Sequence, residues 1–156
     1  MTLRKDLKFN DLQEVLDDLD GLVRNGYVAT KNWDLSQTCE HLADWMTFPI
    51  DGFPKSPIVV SVIVGLLRVT RGRALLQKMI SEQRMAYNQP TIPKTVYKPT
   101  KDFQPSVERL RKAINRLKDH QGFIHPSPLF GTLTHEELVA LQLAHCAHHL
   151  SLLTPK

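Results

Sequence analysis

The stretch from Thr134 to Leu153 constrains this chain most, because it is apolar on more than one side of a helix. Thr134-His-Glu-Glu137 is a T-x-x-E capping box that opens the segment. At about 100° of turn per residue, Leu138, Leu141, Gln142, His145, His149 and Leu152 share one face. Val139, Leu143, Leu150 and Leu153 form a second apolar face. A helix of this kind belongs at the centre of a core or at a subunit contact. His145 and His149 are four residues apart, so their rings lie one above the other, on the face meant to be buried. Spacing alone is weak evidence for a metal, since crowded imidazoles also fill polar seams. Burial sharpens the question, because a buried imidazole needs partners for its nitrogens. A metal ion satisfies several at once; hydrogen bonds to Gln142 or to carboxylates are the alternative.

The rest of the sequence reads as an all-α domain spanning residues 1–156, a four-helix bundle with an extra short helical segment and a Pro-rich loop. A first helix starts at Asn10 as N-cap, with Gln13 as its return partner, and ends at Asn25-Gly26. A second starts behind Asp34, paired with Gln37, and stops in the turn-rich run Thr47–Pro54. Its stripe is Leu35, Cys39, Leu42 and Met46, with His41 at the border beside Thr38 and Trp45. Ile58 to Leu67 has the composition of a strand but nothing to pair with, so it reads as a fully buried helix. After a break at Thr70–Arg73, a helix follows from Arg73 to Met85. Asn88 to Gln104, punctuated by prolines, reads as an ordered loop over the bundle, with a mobile lid as the alternative. Ser106 caps a further helix that ends at His120, closed by Gly122.

Composition narrows the function class. Hydrophobic residues make up 42% and charged residues 23%, which is the balance of an ordinary globular protein. The N-terminus lacks the apolar segment of a secretory signal, and the longest apolar run falls short of the ~20 residues a bilayer span needs. The two cysteines, Cys39 and Cys146, make no disulfide framework. A cytoplasmic location without membrane contact is therefore expected. The net charge of +4 is mild for a nucleic-acid binder, so the basic face of Arg109, Arg111, Lys112, Arg116 and Lys118 reads as solvated rather than phosphate-contacting.

His41 from the second helix and the pair His145 and His149 from the last would offer three nitrogen ligands between facing helices. Three protein ligands plus water is the open arrangement of a catalytic site, whereas structural zinc takes four. Three imidazoles suit a divalent ion, with zinc or nickel the leading candidates. Three other residues stand near this set. His148, about 100° around the helix from the pair, fits a pocket wall or a plain interhelical hydrogen bond. Asp44, one turn beyond His41, could orient its ring or form a surface ion pair. His125, in the Pro-fixed turn His125–Gly131, could close the site or serve as a structural contact. Glu40 points away, and both cysteines read as small buried hydrophobes.

Asn32-Trp-Asp-Leu-Ser-Gln-Thr-Cys-Glu-His-Leu-Ala43 resembles the second helix of the DinB-like (YfiT-like) metalloenzymes, where a W…HL pattern supplies the first histidine. His145-Cys-Ala-His-His149 resembles that family's terminal HxxxH. Phe53-Pro54 and the HP-x-P-x-FG run at His125–Gly131 point to one branch of it. The resemblance implies a helical bundle, often dimeric, with a divalent metal on His41, His145 and His149. It implies thiol transfer or metal-dependent hydrolysis of a small-molecule substrate. A non-catalytic binding or stress-response module with a vestigial metal site is the competing expectation.

Overall fold

The computed structural model describes residues 3–86 and 91–156. Among the described residues six α-helices run in the order α1 (Leu12–Asn25), α2 (Leu35–Asp51), α3 (Ile58–Leu67), α4 (Arg73–Glu82), α5 (Gln104–Asp119) and α6 (His135–Leu150). The fold is all-α apart from one short antiparallel ribbon. In it β1 (Tyr27–Ala29) pairs with β2 (Leu153–Pro155), Val28 standing opposite Thr154. The core is filled by the stripes of α1, α2, α5 and α6, with Leu76 and Met79 lent by α4. Among the described residues no helix is long and apolar enough to cross a membrane.

Local chemistry explains where the helices begin. In α2, the Asp34 carboxylate accepts from Gln37 N–H at 2.9 Å while the Gln37 side chain accepts from Asp34 N–H at 3.2 Å. Thr134 and Glu137 make the same reciprocal pair at the start of α6. At α1 the cap falls one residue later than expected. Asp11, not Asn10, accepts from Glu14 N–H at 2.9 Å, and Glu14 reaches back to Asn10 N–H at 2.7 Å. Two adjacent capping residues left the register open, and Glu14 completes the later one. Gly26 ends α1 with φ +73°, which favours glycine.

Several boundaries depart from expectation. Helix α2 stops inside the Thr47–Pro54 run, but only after passing through Pro49, at Asp51. A proline has no N–H, so it leaves the carbonyl of Trp45 without its helical partner. Gln142 from α6 fills the vacancy, its Nε2 donating to Trp45 O at 3.0 Å. The proline break is thus converted into a link between two helices. Helix α5 starts at Gln104, with Pro105 in its first turn, so Ser106 is not its cap. At its other end the His120 N–H, rather than Gly122, closes the turn onto Leu117 O at 3.3 Å. Helix α6 ends at Leu150, which leaves Leu152 in the link to β2 and Leu153 as the first residue of that strand. Both apolar faces of α6 are covered within the fold, as a central helix requires: Leu138, Leu141, Leu143 and Leu150 are all buried.

The largest correction concerns Ile58–Leu67. It is a helix, but none of its residues is buried. The expected break at Thr70–Arg73 is instead a π-helical turn, Arg68–Gly72, joining α3 to α4. Gly72 is needed there, since an added Cβ would meet Leu129 O at 2.6 Å.

After α4, the start of the proline-rich connector, Asn88–Pro90, lies outside the described residues. From Thr91 onward it lies over α2, held at several points. Gln37 Nε2 donates to Tyr97 O at 2.6 Å, and Thr100 N–H donates to Ser36 Oγ at 3.0 Å. Opposite, the His125–Gly131 turn is tied to the end of α2 by His125 N–H donating to Pro49 O at 2.8 Å.

Candidate metal centre

Helix α6 meets α2 and the residue just ahead of its cap across three rungs. Gln142 meets Trp45 at one end, His145 meets His41 in the middle, and His149 meets Trp33 at the other end. The middle rung sets the chemistry. His41 Nε2 lies 3.2 Å from His145 Nε2. The His149 ring sits 4.6 Å from the His41 ring and 4.8 Å from the His145 ring, centroid to centroid. One ring nitrogen from each histidine falls within 4.8 Å of the other two. Tetrahedral zinc with Zn–N bonds of about 2.0–2.1 Å separates its ligand nitrogens by roughly 3.4 Å. The His41–His145 spacing is close to that value, and His149 offers a third nitrogen within 4.8 Å of both.

The protonation state of His41 follows from its other contact. Its Nδ1 lies 3.1 Å from the backbone carbonyl of Thr95, a group that only accepts. Nδ1 therefore carries the proton, and the neutral ring turns a bare Nε2 lone pair toward His145. A ring whose outer nitrogen is tied to a carbonyl is in the tautomer that metal ligation needs. Burial keeps all three rings neutral. It pushes the His41 pKa down to about 4, against some support from the Thr95 carbonyl. His145 and His149 are held well below the usual range, first by burial and then by the neighbouring imidazoles. His41 and His145 are buried, while His149 is half-buried and forms the accessible edge of the cluster. The Trp33 indole lies flat on that edge, 5.4 Å from His149 with 10° between the planes.

Not every residue named from the sequence joins this cluster. Asp44 does not orient His41; that task falls to Thr95. Asp44 is buried, accepts from Tyr97 Oη–H at 2.8 Å and pairs with Arg109, which also holds Glu40. His148 packs edge-on against His149 at 4.9 Å and hydrogen-bonds the Met85 backbone. His125 stays apart, with its ring beside Gly52 and edge-on to Phe123 at 5.0 Å. Cys39 and Cys146 are fully buried, and burial raises both thiol pKa values, which leaves them protonated. The basic face of α5 is largely engaged with acids of the fold: Arg109 as above, Arg111 with Asp20, Arg116 with Asp51, and Lys112 with Glu108.

Thr95 and Trp33 border the cluster; the sequence offers Trp33 only as part of the W…HL pattern, without a role, and does not point to Thr95. Trp33 had a signal in its place just ahead of the Asp34 cap. Thr95 had none, because its contribution is a backbone carbonyl. At the Gln142–Trp45 end lies a cavity of about 30 Å3, whose walls include Trp45, Pro49, Phe53, His125, Leu141 and Gln142 and none of the three clustered histidines. Two polar atoms on its lining residues, Trp45 Nε1 and Gln142 Oε1, are buried without a hydrogen-bond partner among the described residues. One is a donor and the other an acceptor.

The family model described as "Protein of unknown function (DUF1569)" matches residues 1–156. No curated protein and no solved structure matches the chain.

Proposed function

We propose that this chain, which belongs to the DUF1569 family, is a divalent-metal protein whose ion is held by His41, His145 and His149. One observation carries the reading. Thr95 fixes the proton of His41 on Nδ1, so the bare Nε2 faces a second imidazole nitrogen at 3.2 Å with a third in reach. Neutral imidazoles without a carboxylate or thiolate suit zinc or nickel. The DinB-like sequence patterns at Trp33–Leu42 and His145–His149 support the same ligand set and a helical bundle around it.

An ion held by these three histidines would keep room for a further ligand and would supply acidification of a water or thiol for attack on a small electrophile. The reading is therefore a metal-dependent hydrolase or thiol transferase acting on a small molecule. This chain's residues supply the surroundings. Thr95 orients His41, and Trp33 covers the accessible ring of His149.

Calorimetric titration of metal-free protein with zinc and with nickel tests the assignment. One ion per chain is expected for the wild type, with sharply weakened binding in His145→Ala. Turnover of activated esters, or of thiols with alkyl halides, that disappears in His145→Ala marks an enzyme. Tight binding without any turnover marks a binding module, and absence of binding ends the proposal.

A further inference from the structure

Helix α3 holds no charged residue, and none of its residues is buried. At about 100° of turn per residue, Ile58, Val62, Leu66, Val59 and Ile63 follow one another around roughly 140° of its circumference. Leu67 and Val60 extend that arc to about 200°. The first five are between 56% and 82% exposed, the last two 44% and 45%. Ser61 and Gly65, with Arg68 just past the helix, occupy the opposite side. Water therefore meets aliphatic side chains around more than half of the rod. A contiguous exposed apolar surface of this kind marks an interaction site.

Charge around this helix has one sign. From Gly52 to Ser81 the chain holds Lys55, Arg68, Arg71, Arg73 and Lys78 and no acidic residue. Arg73 is committed to Glu137. Among the described residues Lys55, Arg68, Arg71 and Lys78 form no ion pair. Lys55 stands three residues ahead of α3 and Arg68 directly behind it, so cations flank a rod about 15 Å long at both ends. On α5, by contrast, Arg109, Arg111 and Arg116 are all neutralised by acids of the fold.

We infer that α3 is a peripheral anchor that lies in the surface of an anionic lipid bilayer, its aliphatic arc at the acyl boundary and Lys55, Arg68 and Arg71 among the lipid phosphates. The breadth of the arc favours lipid over a protein partner. A groove takes one face of a helix, whereas fluid acyl chains close around more than half of it. A protein interface also carries hydrogen bonds that fix its register. Helix α3 offers none: the Ser61 hydroxyl is turned back onto Pro57 O at 3.2 Å. The rod lies flat. The N–H groups of its first turn have no side-chain cap at Pro57, so an end-on entry would carry bare donors into the acyl region. The expectation of no membrane contact rests on the missing span and signal segment, and a helix lying on a bilayer needs neither.

Flotation of the full chain on vesicles of phosphatidylcholine, alone and with phosphatidylglycerol added, tests the anchor. The wild type is expected to float with the anionic vesicles only and to be released as salt rises. Val59→Glu and Ile63→Glu change exposed positions on the arc, so circular dichroism is expected to stay as in the wild type while vesicle binding weakens by about tenfold or more. Lys55→Ala and Arg71→Ala are each expected to weaken it by about fivefold at low salt. In Val62→Trp, tryptophan emission is expected to shift to the blue on mixing with the anionic vesicles. A wild type that never floats overturns the inference. So does binding that survives both glutamate changes, which is attraction to a basic surface alone. A chain that ignores vesicles while Val59→Glu alters its sedimentation makes α3 a protein contact, and overturns the inference as well. None of these readouts depends on metal occupancy at the histidines, so failure here leaves the reading of that cluster untouched.

Discussion

His41 Nε2 and His145 Nε2 face each other at 3.2 Å, and the outer nitrogen of His41 is committed to the Thr95 carbonyl. With one nitrogen of His41 fixed as donor, the other is a lone pair pointing into a cluster of neutral rings. This pair relates the strap over α2 to the chemistry between α2 and α6.

The strap is therefore part of the site. Asp44 holds it by accepting from Tyr97 Oη–H, and Arg109 braces Asp44. Asp44→Ala is expected to keep the helical fold while loosening Thr95. Groups that orient a ligand from behind are worth about 10–100-fold in metal affinity, so a weakening of roughly tenfold is expected in a zinc competition titration. An unchanged affinity with an intact fold would separate the strap from the site.

Acid exposes the buried imidazoles. Unfolded histidines take up protons near pH 6.5, whereas the folded His41 does so only near 4. Between these values the unfolded chain binds more protons, so stability rises with pH across the window. It is fully present above pH 6.5 and is lost as pH falls toward 4. The slope is about 1.4 kcal/mol per pH unit for each histidine that behaves this way. Urea unfolding of metal-free protein from pH 7 to pH 4 reads it. His41→Gln is expected to flatten the curve.

The link made by Pro49 has its own signature. Gln142→Ala leaves Trp45 O without a partner, at an expected cost of about 1–3 kcal/mol. Pro49→Ala restores a backbone N–H where that carbonyl can use it. In the Pro49→Ala background the cost of Gln142→Ala is expected to shrink, which a double-mutant cycle by urea denaturation measures. Additive effects would contradict the link.

Gly72 tests how closely the π-helical turn packs. Gly72→Ala places a Cβ against backbone rather than a flexible side chain. An expected loss of about 1–3 kcal/mol follows from such overpacking. Thermal melts of the purified variant check it.

Much of this architecture was legible because it is written in side chains. Reciprocal caps at Asp34–Gln37 and Thr134–Glu137 mark two helix starts, and helical period turns His41, His145 and His149 inward. What stayed hidden depends on backbone or on environment. The Thr95 carbonyl has no residue signature. Three-residue strands are too short to show alternation, so β1 and β2 went unseen. A run such as Ile58–Leu67 looks alike whether the surrounding space is core or solvent, and only the packed structure shows that other stripes already fill the core. Pro49 reads as a helix stop unless a distant glutamine is known to occupy the carbonyl it frees.

X-ray absorption at the zinc edge of reconstituted protein measures the central arrangement most directly. Three imidazole ligands at about 2.0–2.1 Å, completed by one or two light oxygen scatterers, are the expected first sphere, with one imidazole fewer in His41→Ala. A sphere that contains sulfur, or that is unchanged when His41 is replaced, would contradict the account.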